Sequence, residues 1–260
     1  MRNKKNVFVI MTIFILLSIF GYAAGKLYGF YKEYQNGNQE YEEMRKYIED
    51  SDDGKEEKSS EEQVEKTSED KFLKIDFDGL RRQNPDIKAW IQIPALDISY
   101  PVVQGEDNCY YLHHLSDGQK NKNGSIFIDC HNGSDFTDQN TIIYGHNMKN
   151  GSMFGKLDRY KDKTLFEAYP SFYIYLPGKV LEYRIVSCFA GRTGSVAYTY
   201  QFSEVKDFQN FITKIISQSD YDTGIEVAEG DRIVTLSTCM NTDPNYRYLI
   251  HGKLNMQMEN

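Results

Sequence analysis

The feature of this 260-residue sequence that most constrains its fold is a series of eight short runs rich in β-branched and aromatic residues. Gly, Pro, Asn and Asp bound these runs, as is usual for strands that end in turns. The runs are residues 89–93, 98–103, 125–129, 140–144, 171–176, 180–190, 231–238 and 246–254. Eight strands between residues 72 and 256, a segment of single-domain size, predict a mostly β domain, either a barrel or a sandwich.

One helix stands out among the strands. Its apolar residues recur at intervals of three and four, which is the period of a one-sided helical stripe. They are Phe202, Val205, Phe208, Phe211, Ile212, Ile215 and Ile216. We therefore expect this helix to pack on the outside of the strands.

The N-terminus carries an uncharged apolar run from Val7 to Ala24. At 1.5 Å of rise per residue it just crosses a hydrocarbon core, and positive residues precede it (Arg2, Lys4 and Lys5). The positive-inside rule then predicts a cytoplasmic segment 1–6, a membrane span 7–25 and an extracytoplasmic remainder. A cleaved signal peptide is the alternative, but the run is longer than a usual signal core.

Acidic charge is concentrated between the membrane run and the strands. The net charge is −8, and residues 51–70 contain nine Asp or Glu against three Lys. A segment so charged and so poor in apolar residues is typical of a solvated chain. We predict that residues 26–70 form a helical stalk and an acidic flexible tether, and that residues 71–260 form the folded domain. No basic stripe indicates nucleic acid.

The four cysteines, Cys109, Cys130, Cys188 and Cys239, show neither a C-x-x-C pair nor a regular spacing. A zinc knuckle is therefore not indicated, although a disulfide among the first three is open for an exported protein. The sequence also lacks a calcium-binding loop of the Asp-x-Asp-x-Asp-Gly kind. We expect no cofactor and no metal.

The strongest chemical signal is the end of the strand 231–238. The strand leads into the thiol of Cys239, and residues 240–245 form a turn-rich string before the next strand. If that hairpin folds symmetrically about Asp243, Cys239 and Arg247 face each other at its mouth. His146 also follows an apolar strand, so that all three groups are expected at strand ends.

A thiol, an imidazole and a guanidinium suffice for acyl transfer from a peptide bond. The thiolate is the nucleophile, the imidazole titrates near neutrality as acid and base, and the guanidinium holds charge on the carbonyl oxygen. Each residue alone also has an ordinary interpretation: a buried Cys, a turn His, a surface Arg. Spacing alone leaves both interpretations open.

Six segments carry a resemblance to a known family. They are Thr235–Cys239 with Arg247 beyond it, Thr141–His146, Asn84–Pro94, Tyr100–Gly105, Gly124–Asp129 and Gly145–Phe154. Together they resemble the sortases, membrane-anchored cysteine transpeptidases, and resemble class B in particular. The helix before the cysteine strand, and helical sequence ahead of Trp90, fit class B better than class A.

The resemblance implies a closed eight-stranded barrel with peripheral helices on a Gram-positive-type cell surface. It implies cleavage of a sorting motif similar to Asn-Pro-x-Thr-x in secreted proteins, after the Thr, through a thioester on Cys239. An amine of a peptidoglycan precursor would then accept the acyl group. By position, Asn108, Leu112, Ser237 and Tyr198 match residues that line the family's peptide groove.

Two other classes of protein stay open at this point. A wall-acting cysteine peptidase, amidase or L,D-transpeptidase would also use Cys and His outside the membrane, although Thr238 and Met240 do not match the residues that flank an L,D-transpeptidase cysteine. A membrane-tethered binding module with a structural Cys239 is the non-enzymatic alternative. Replacement of Cys239 by Ala would leave such a module unaffected.

Overall fold

The structure, a computed structural model, describes residues 2–49, 72–240 and 243–259. The predicted acidic tether lies outside the described residues. The chain begins with the long helix α1 (Arg2–Arg45), followed by the short strands β1 (Ile48–Glu49) and β2 (Lys74–Ile75) and by helix α2 (Phe77–Gln83). Strands β1 and β2 pair antiparallel, so the two ends of the acidic segment lie side by side.

Eight strands form a closed barrel. They are β3 (Ile87–Ile93), β4 (Ile98–Val103), β5 (Ile126–Ile128), β6 (Asn140–Gly145), β7 (Ser171–Leu176), β8 (Lys179–Arg192), β9 (Ile233–Cys239) and β10 (Tyr246–Glu259). Their order around the barrel is β10-β8-β7-β3-β4-β5-β6-β9. The β4–β5 and β6–β9 pairs are parallel and the others are antiparallel. The prediction of a closed, mostly β barrel is confirmed.

Alternating residues of these strands fill the barrel. In β9, Val234 and Leu236 belong to the main core, and the side chains between them point to the opposite face because successive residues of a strand alternate. The same alternation puts Ala89, Ile91 and Ile93 of β3 into that core.

Two further helices lie outside the barrel, α3 (Lys163–Ala168) and α4 (Val205–Ser217). Helix α4 buries Phe208, Phe211 and Ile215 against the outer side of β8 and β10. Each such side chain contributes roughly 1.5–3 kcal/mol when removed from water. The amphipathic helix predicted from the apolar spacing is therefore present and packs as expected.

Helix α1 is apolar over its first half, with a window of mean hydropathy 1.8, and this part is long enough to cross a membrane. Its last turns pack on the barrel instead: Tyr41 and Met44 are buried in two hydrophobic clusters. Contacts with the barrel thus begin well ahead of residue 71, where the sequence predicts the start of the catalytic domain.

Candidate active site

Strand β9 presents the candidate nucleophile. Cys239 is its last residue and its side chain is exposed, while the residues before it are buried. Ser237 lies two residues earlier, on the same face of the strand, which is the face turned away from the main core. The thiol is therefore held at the end of a rigid strand and open to a ligand.

Strand β10 places Arg247 directly opposite Cys239 in the antiparallel ladder, as the expected symmetric hairpin requires. Its Nη1 donates to the carbonyl oxygens of Pro244 at 2.7 Å and of Tyr246 at 3.0 Å. A guanidinium has five N–H donors in a fixed fork. Within the described residues, these two bonds leave the Nε and Nη2 donors for a bound ligand.

His146 follows β6, whose parallel pairing with β9 brings Gly145 beside Thr238. The imidazole Nε2 lies 3.0 Å from the carbonyl oxygen of Leu112. A carbonyl oxygen only accepts, so Nε2 must carry the hydrogen, and Nδ1 is the nitrogen left to exchange protons in the neutral ring. Burial lowers the pKa of His146, opposed by the bond to Leu112. The neutral imidazole is thereby favoured near pH 7.

Asn147 joins the histidine segment to the cysteine strand. Its side-chain Nδ2 donates to the carbonyl oxygen of Cys239 at 2.6 Å. This hydrogen bond fixes the backbone of Cys239 to the residue that follows His146. The two catalytic candidates are therefore held in a defined relative position.

Tyr198 lies beside the cysteine strand β9 and belongs to a short 3₁₀ helix at residues 196–198. Its hydroxyl lies 2.9 Å from the Ser237 hydroxyl. The Asn140 side chain holds this helix by donating to the carbonyl oxygens of Ala197 and Thr199. Burial raises the pKa of Tyr198, opposed by the Ser237 bond and by the nearby charge of Arg247, so the phenol remains protonated.

Asp129, buried just after β5, organises the opposite wall. One carboxylate oxygen accepts from Asn108 Nδ2 at 3.0 Å and from the Tyr144 hydroxyl at 2.8 Å. The other accepts from the backbone N–H and ring of His131. These bonds outweigh burial and lower the pKa of Asp129. Asn108 is fixed further because its Oδ1 accepts from the Cys130 N–H at 2.8 Å.

All seven residues singled out in the sequence line one cavity of about 380 Å³. Its lining is Asn108, Leu112, Phe127, Tyr144, Gly145, His146, Thr193, Gly194, Tyr198, Ser237, Cys239 and Arg247. The structure therefore brings the three catalytic candidates and the four groove candidates together. Their individual roles stay predictions.

Several contributors were missed in the sequence. Asn147 stands next to His146 in the quoted motif, but its partner is 92 positions away and is a backbone atom. Tyr144 lies on the exposed side of an apolar strand, and period-two alternation before His146 would have placed it in the groove. The Asp129 carboxylate had no such signal.

The described part of the chain contains one group of possible metal ligands, formed by Asp129, Cys130 and His131 within 4.8 Å of one another. Both oxygens of Asp129 already accept hydrogen bonds from the groove wall and His131. We therefore interpret Asp129 as a structural acceptor. The four cysteines are all free thiols, so the open disulfide among the first three is not formed.

A barrel with an exposed thiol, an imidazole and a guanidinium around one cavity defines a cysteine acyltransferase site. The comparisons with known proteins agree with this assignment. The model of the family described as "Sortase domain" matches residues 91–255, more than half of the chain. The chain therefore belongs to the sortase family of cysteine transpeptidases.

Within this family the chain belongs to class B. Sortase B of Listeria monocytogenes is 41% identical over 67% of this chain and 72% of its own length. A crystal structure of sortase B from Bacillus anthracis matches 86% of this chain and 98% of its own, with 32% identity and a TM-score of 0.71. Sortase B of Staphylococcus aureus has been solved in complex with substrate, at 27% identity, a TM-score of 0.65 and coverage of 70% and 84%, and sortase B has also been solved with triglycine.

Proposed function

We propose that this chain is a membrane-anchored transpeptidase that cleaves an Asn-Pro-x-Thr-x-like sorting motif of secreted proteins and joins the threonine to a cell-wall precursor amine. Cys239 serves as the nucleophile, His146 as acid and base, and Arg247 as the oxyanion donor. The observation that carries the proposal is the shared cavity of these three residues, with Cys239 and Arg247 paired across the last hairpin.

In the first half-reaction, His146 Nδ1 takes the proton of the Cys239 thiol, and the resulting thiolate attacks the threonine carbonyl carbon while the C–O π electrons move to oxygen. The free N–H groups of Arg247 bind the resulting oxyanion. Collapse of this intermediate breaks the C–N bond, and a protonated His146 gives its Nδ1 proton to the departing amine. A thioester on Cys239 remains, and the C-terminal fragment leaves as a neutral amine.

In the second half-reaction, an amine attacks the thioester carbonyl and His146 Nδ1 accepts the proton that this amine loses. The Cys239 thiolate is the leaving group, and a new amide bond forms. The triglycine complex of a sortase B supports a glycine-type amine as the acceptor. Nδ1 suits this role in both steps because Nε2 is held by the Leu112 carbonyl.

The groove wall supplies motif recognition. Asn108 offers an amide whose orientation Asp129 fixes, and Leu112 offers an apolar surface. Tyr198 and Ser237, hydrogen-bonded to each other, line the cavity together with Cys239 and can bind the peptide backbone beside the scissile bond. This mixture of apolar and polar groups suits a short peptide of mixed character.

The apolar half of α1 supports a single-pass anchor at the cell membrane, with the barrel on the extracytoplasmic side. That orientation gives the site access to secreted proteins and to precursor amines on the outer side of the membrane.

The test uses the full chain in detergent micelles, with a panel of fluorescent Asn-Pro-x-Thr-x peptides and triglycine as the acceptor. We expect a product in which the threonine is joined to the glycine amine, and none with Cys239→Ala. Hydrolysis with no joined product at any triglycine concentration would assign a peptidase instead. Failure to cleave every peptide of the panel would refute the proposed motif.

A further inference from the structure

The second half of α1 lies against residues 110–125, which we name the 110–125 loop. This loop contains Leu112, whose carbonyl oxygen is the partner of His146 Nε2. Glu33 forms the first contacts: its carboxylate pairs with Lys122 Nζ at 3.0 Å and accepts from the Lys122 N–H. Its carbonyl oxygen accepts from the Asn121 side chain at 2.9 Å. One turn of the helix is thus bound to the loop through both side chain and backbone.

One turn further on, the helix approaches the loop at Gly37. This glycine is buried, and a β-carbon at this position would overlap the amide nitrogen of the buried Asn123. A larger residue at position 37 would therefore require the Asn123 side chain or the helix to move. In contrast, a β-carbon at Gly29 of the same helix would meet nothing within 4 Å.

The next turn is buried. Glu40 accepts a short hydrogen bond from the Ser116 hydroxyl of the loop. Burial, together with the charges of Asp117 and Glu43, raises the pKa of Glu40 to about 7. Tyr41, 6% exposed, packs edge-on against the Tyr100 ring at 4.8 Å. Its hydroxyl donates to the carbonyl oxygen of Gly124 at 2.9 Å.

Gly124 touches the candidate catalytic histidine itself. Its φ of +58° is open to glycine, and a β-carbon there would lie 2.9 Å from His146 Nε2 and 2.7 Å from the Leu112 carbonyl oxygen. That carbonyl is the partner of His146 Nε2. Any shift of the loop therefore moves both the surface and the acceptor that orient the imidazole.

We propose that the docked turns of α1 hold the 110–125 loop in place and so act as a brace for it. Within this brace, Tyr41 is a positioning residue for His146. The path is short: Tyr41 binds the Gly124 carbonyl, and Gly124 and Leu112 bear on the imidazole. The brace keeps the Leu112 carbonyl against Nε2 and so fixes the Nε2–H tautomer, which leaves Nδ1 to exchange protons. This inference rests on the proposed role of His146 in acyl transfer.

The brace also connects the candidate active site to the apolar, membrane-spanning half of α1. From residue 25, the end of the predicted span, to Tyr41 the helix rises by about 24 Å. Because α1 is continuous over this distance, the barrel is held at a set height and orientation above the membrane. The acidic segment does not set that height, since β1 and β2 bring its two ends together.

The test compares Gly37→Leu with the matched Gly29→Leu in the full chain reconstituted in phospholipid nanodiscs. Both changes improve helix propensity equally, but only the first places a side chain against the buried Asn123 of the loop. We expect Gly37→Leu to lower kcat for peptide transfer about tenfold or more with little change in KM, because small displacements of a catalytic group are costly. Gly29→Leu should retain the unmodified activity.

A milder variant, Tyr41→Phe, keeps the ring and removes only the bond to Gly124. We expect a smaller loss of kcat and a melting temperature only a few degrees lower, because one hydrogen bond contributes about 1 kcal/mol. In ¹⁵N-histidine NMR of the same samples, the His146 pKa should rise toward its ordinary value in Gly37→Leu, and the Nε2–H tautomer should lose population. Identical His146 spectra in Gly37→Leu and Gly29→Leu would overturn the brace. This readout needs no activity, so it separates failure of the brace from failure of the transpeptidase assignment.

Discussion

Cys239 and Arg247 are direct partners in the antiparallel β9–β10 ladder. Strand pairing therefore places the backbone of Arg247 opposite that of Cys239. The carbonyl oxygens of Pro244 and Tyr246, in the turn region, accept from Nη1 of Arg247. These two bonds orient the other N–H groups of the guanidinium. This arrangement makes the side chain a preorganised donor.

Replacing Arg247 by Lys tests this arrangement. Lysine keeps the positive charge but loses the planar fork, so it cannot bind the turn carbonyls and an oxyanion together. We expect kcat to fall about 10²-fold while the melting temperature stays close to that of the unmodified chain. The exposed Arg184→Lys is the matched control, and equal turnover in the two variants would remove Arg247 from the mechanism.

Replacing Asn147 by Ala removes the bond to the Cys239 carbonyl. One hydrogen bond contributes about 1 kcal/mol, so we expect kcat to fall about fivefold, from a looser spacing of thiol and imidazole. Asn147→Asp should be worse, because a carboxylate would face the carbonyl oxygen. Steady-state kinetics should rank the variants in that order, with Asn150→Ala as the neutral control; the reverse order would show that the contact does not matter.

Asp129→Asn is expected to affect substrate binding more than turnover. The amide offers one acceptor oxygen in place of two, so it cannot accept the Asn108 and Tyr144 bonds on one side and the His131 bonds on the other. We predict a rise in KM of about tenfold with kcat within a factor of about two, since charge-assisted bonds are lost from the groove wall only. Peptide titrations check this against the exposed Asp158→Asn. A selective loss of kcat would place Asp129 in the chemical step.

The buried His251 predicts how stability depends on pH. Its ring stacks on Phe189, neither ring nitrogen has a side-chain partner among the described residues, and burial lowers its pKa from 6.5 to about 3. The unfolded chain therefore binds a proton below about pH 6.5 that the folded chain excludes, and the unfolding free energy falls from there toward about pH 3.

Melting temperatures at neutral and mildly acidic pH should therefore differ less in His251→Phe than in the unmodified chain. The exposed His113→Gln should behave like the unmodified chain. An equal drop in all three proteins would contradict this origin of the pH dependence.

The strands and the hairpin of the site could be predicted because their signals are local. β-branched runs bounded by turn residues located all eight barrel strands, to within a few residues, and period two put Ser237 and Cys239 on one face. The turn after Cys239 was readable from its composition, so that the pairing of Cys239 with Arg247 followed from symmetry.

The contacts that complete the site have no local signal. The partner of His146 is the backbone carbonyl of Leu112, and a backbone atom leaves no mark in the sequence. The docking of α1 was hidden for another reason: Glu40 and Tyr41 lie in a polar stretch, and the acidic segment after it suggested a loose tether. Their burial depends on a distant loop that contains Ser116 and Gly124.

The most direct test of the account is the mass of the intact chain during turnover. Full-length protein mixed with an Asn-Pro-x-Thr-x peptide, and quenched in acid before an amine is added, should gain the mass of the peptide up to its threonine. The adduct should map to Cys239 and disappear on addition of triglycine. Cys239→Ala should never form it, and His146→Ala should accumulate little. An adduct on another residue, or peptide cleavage with no adduct at any quench time, would contradict the proposed thioester at Cys239.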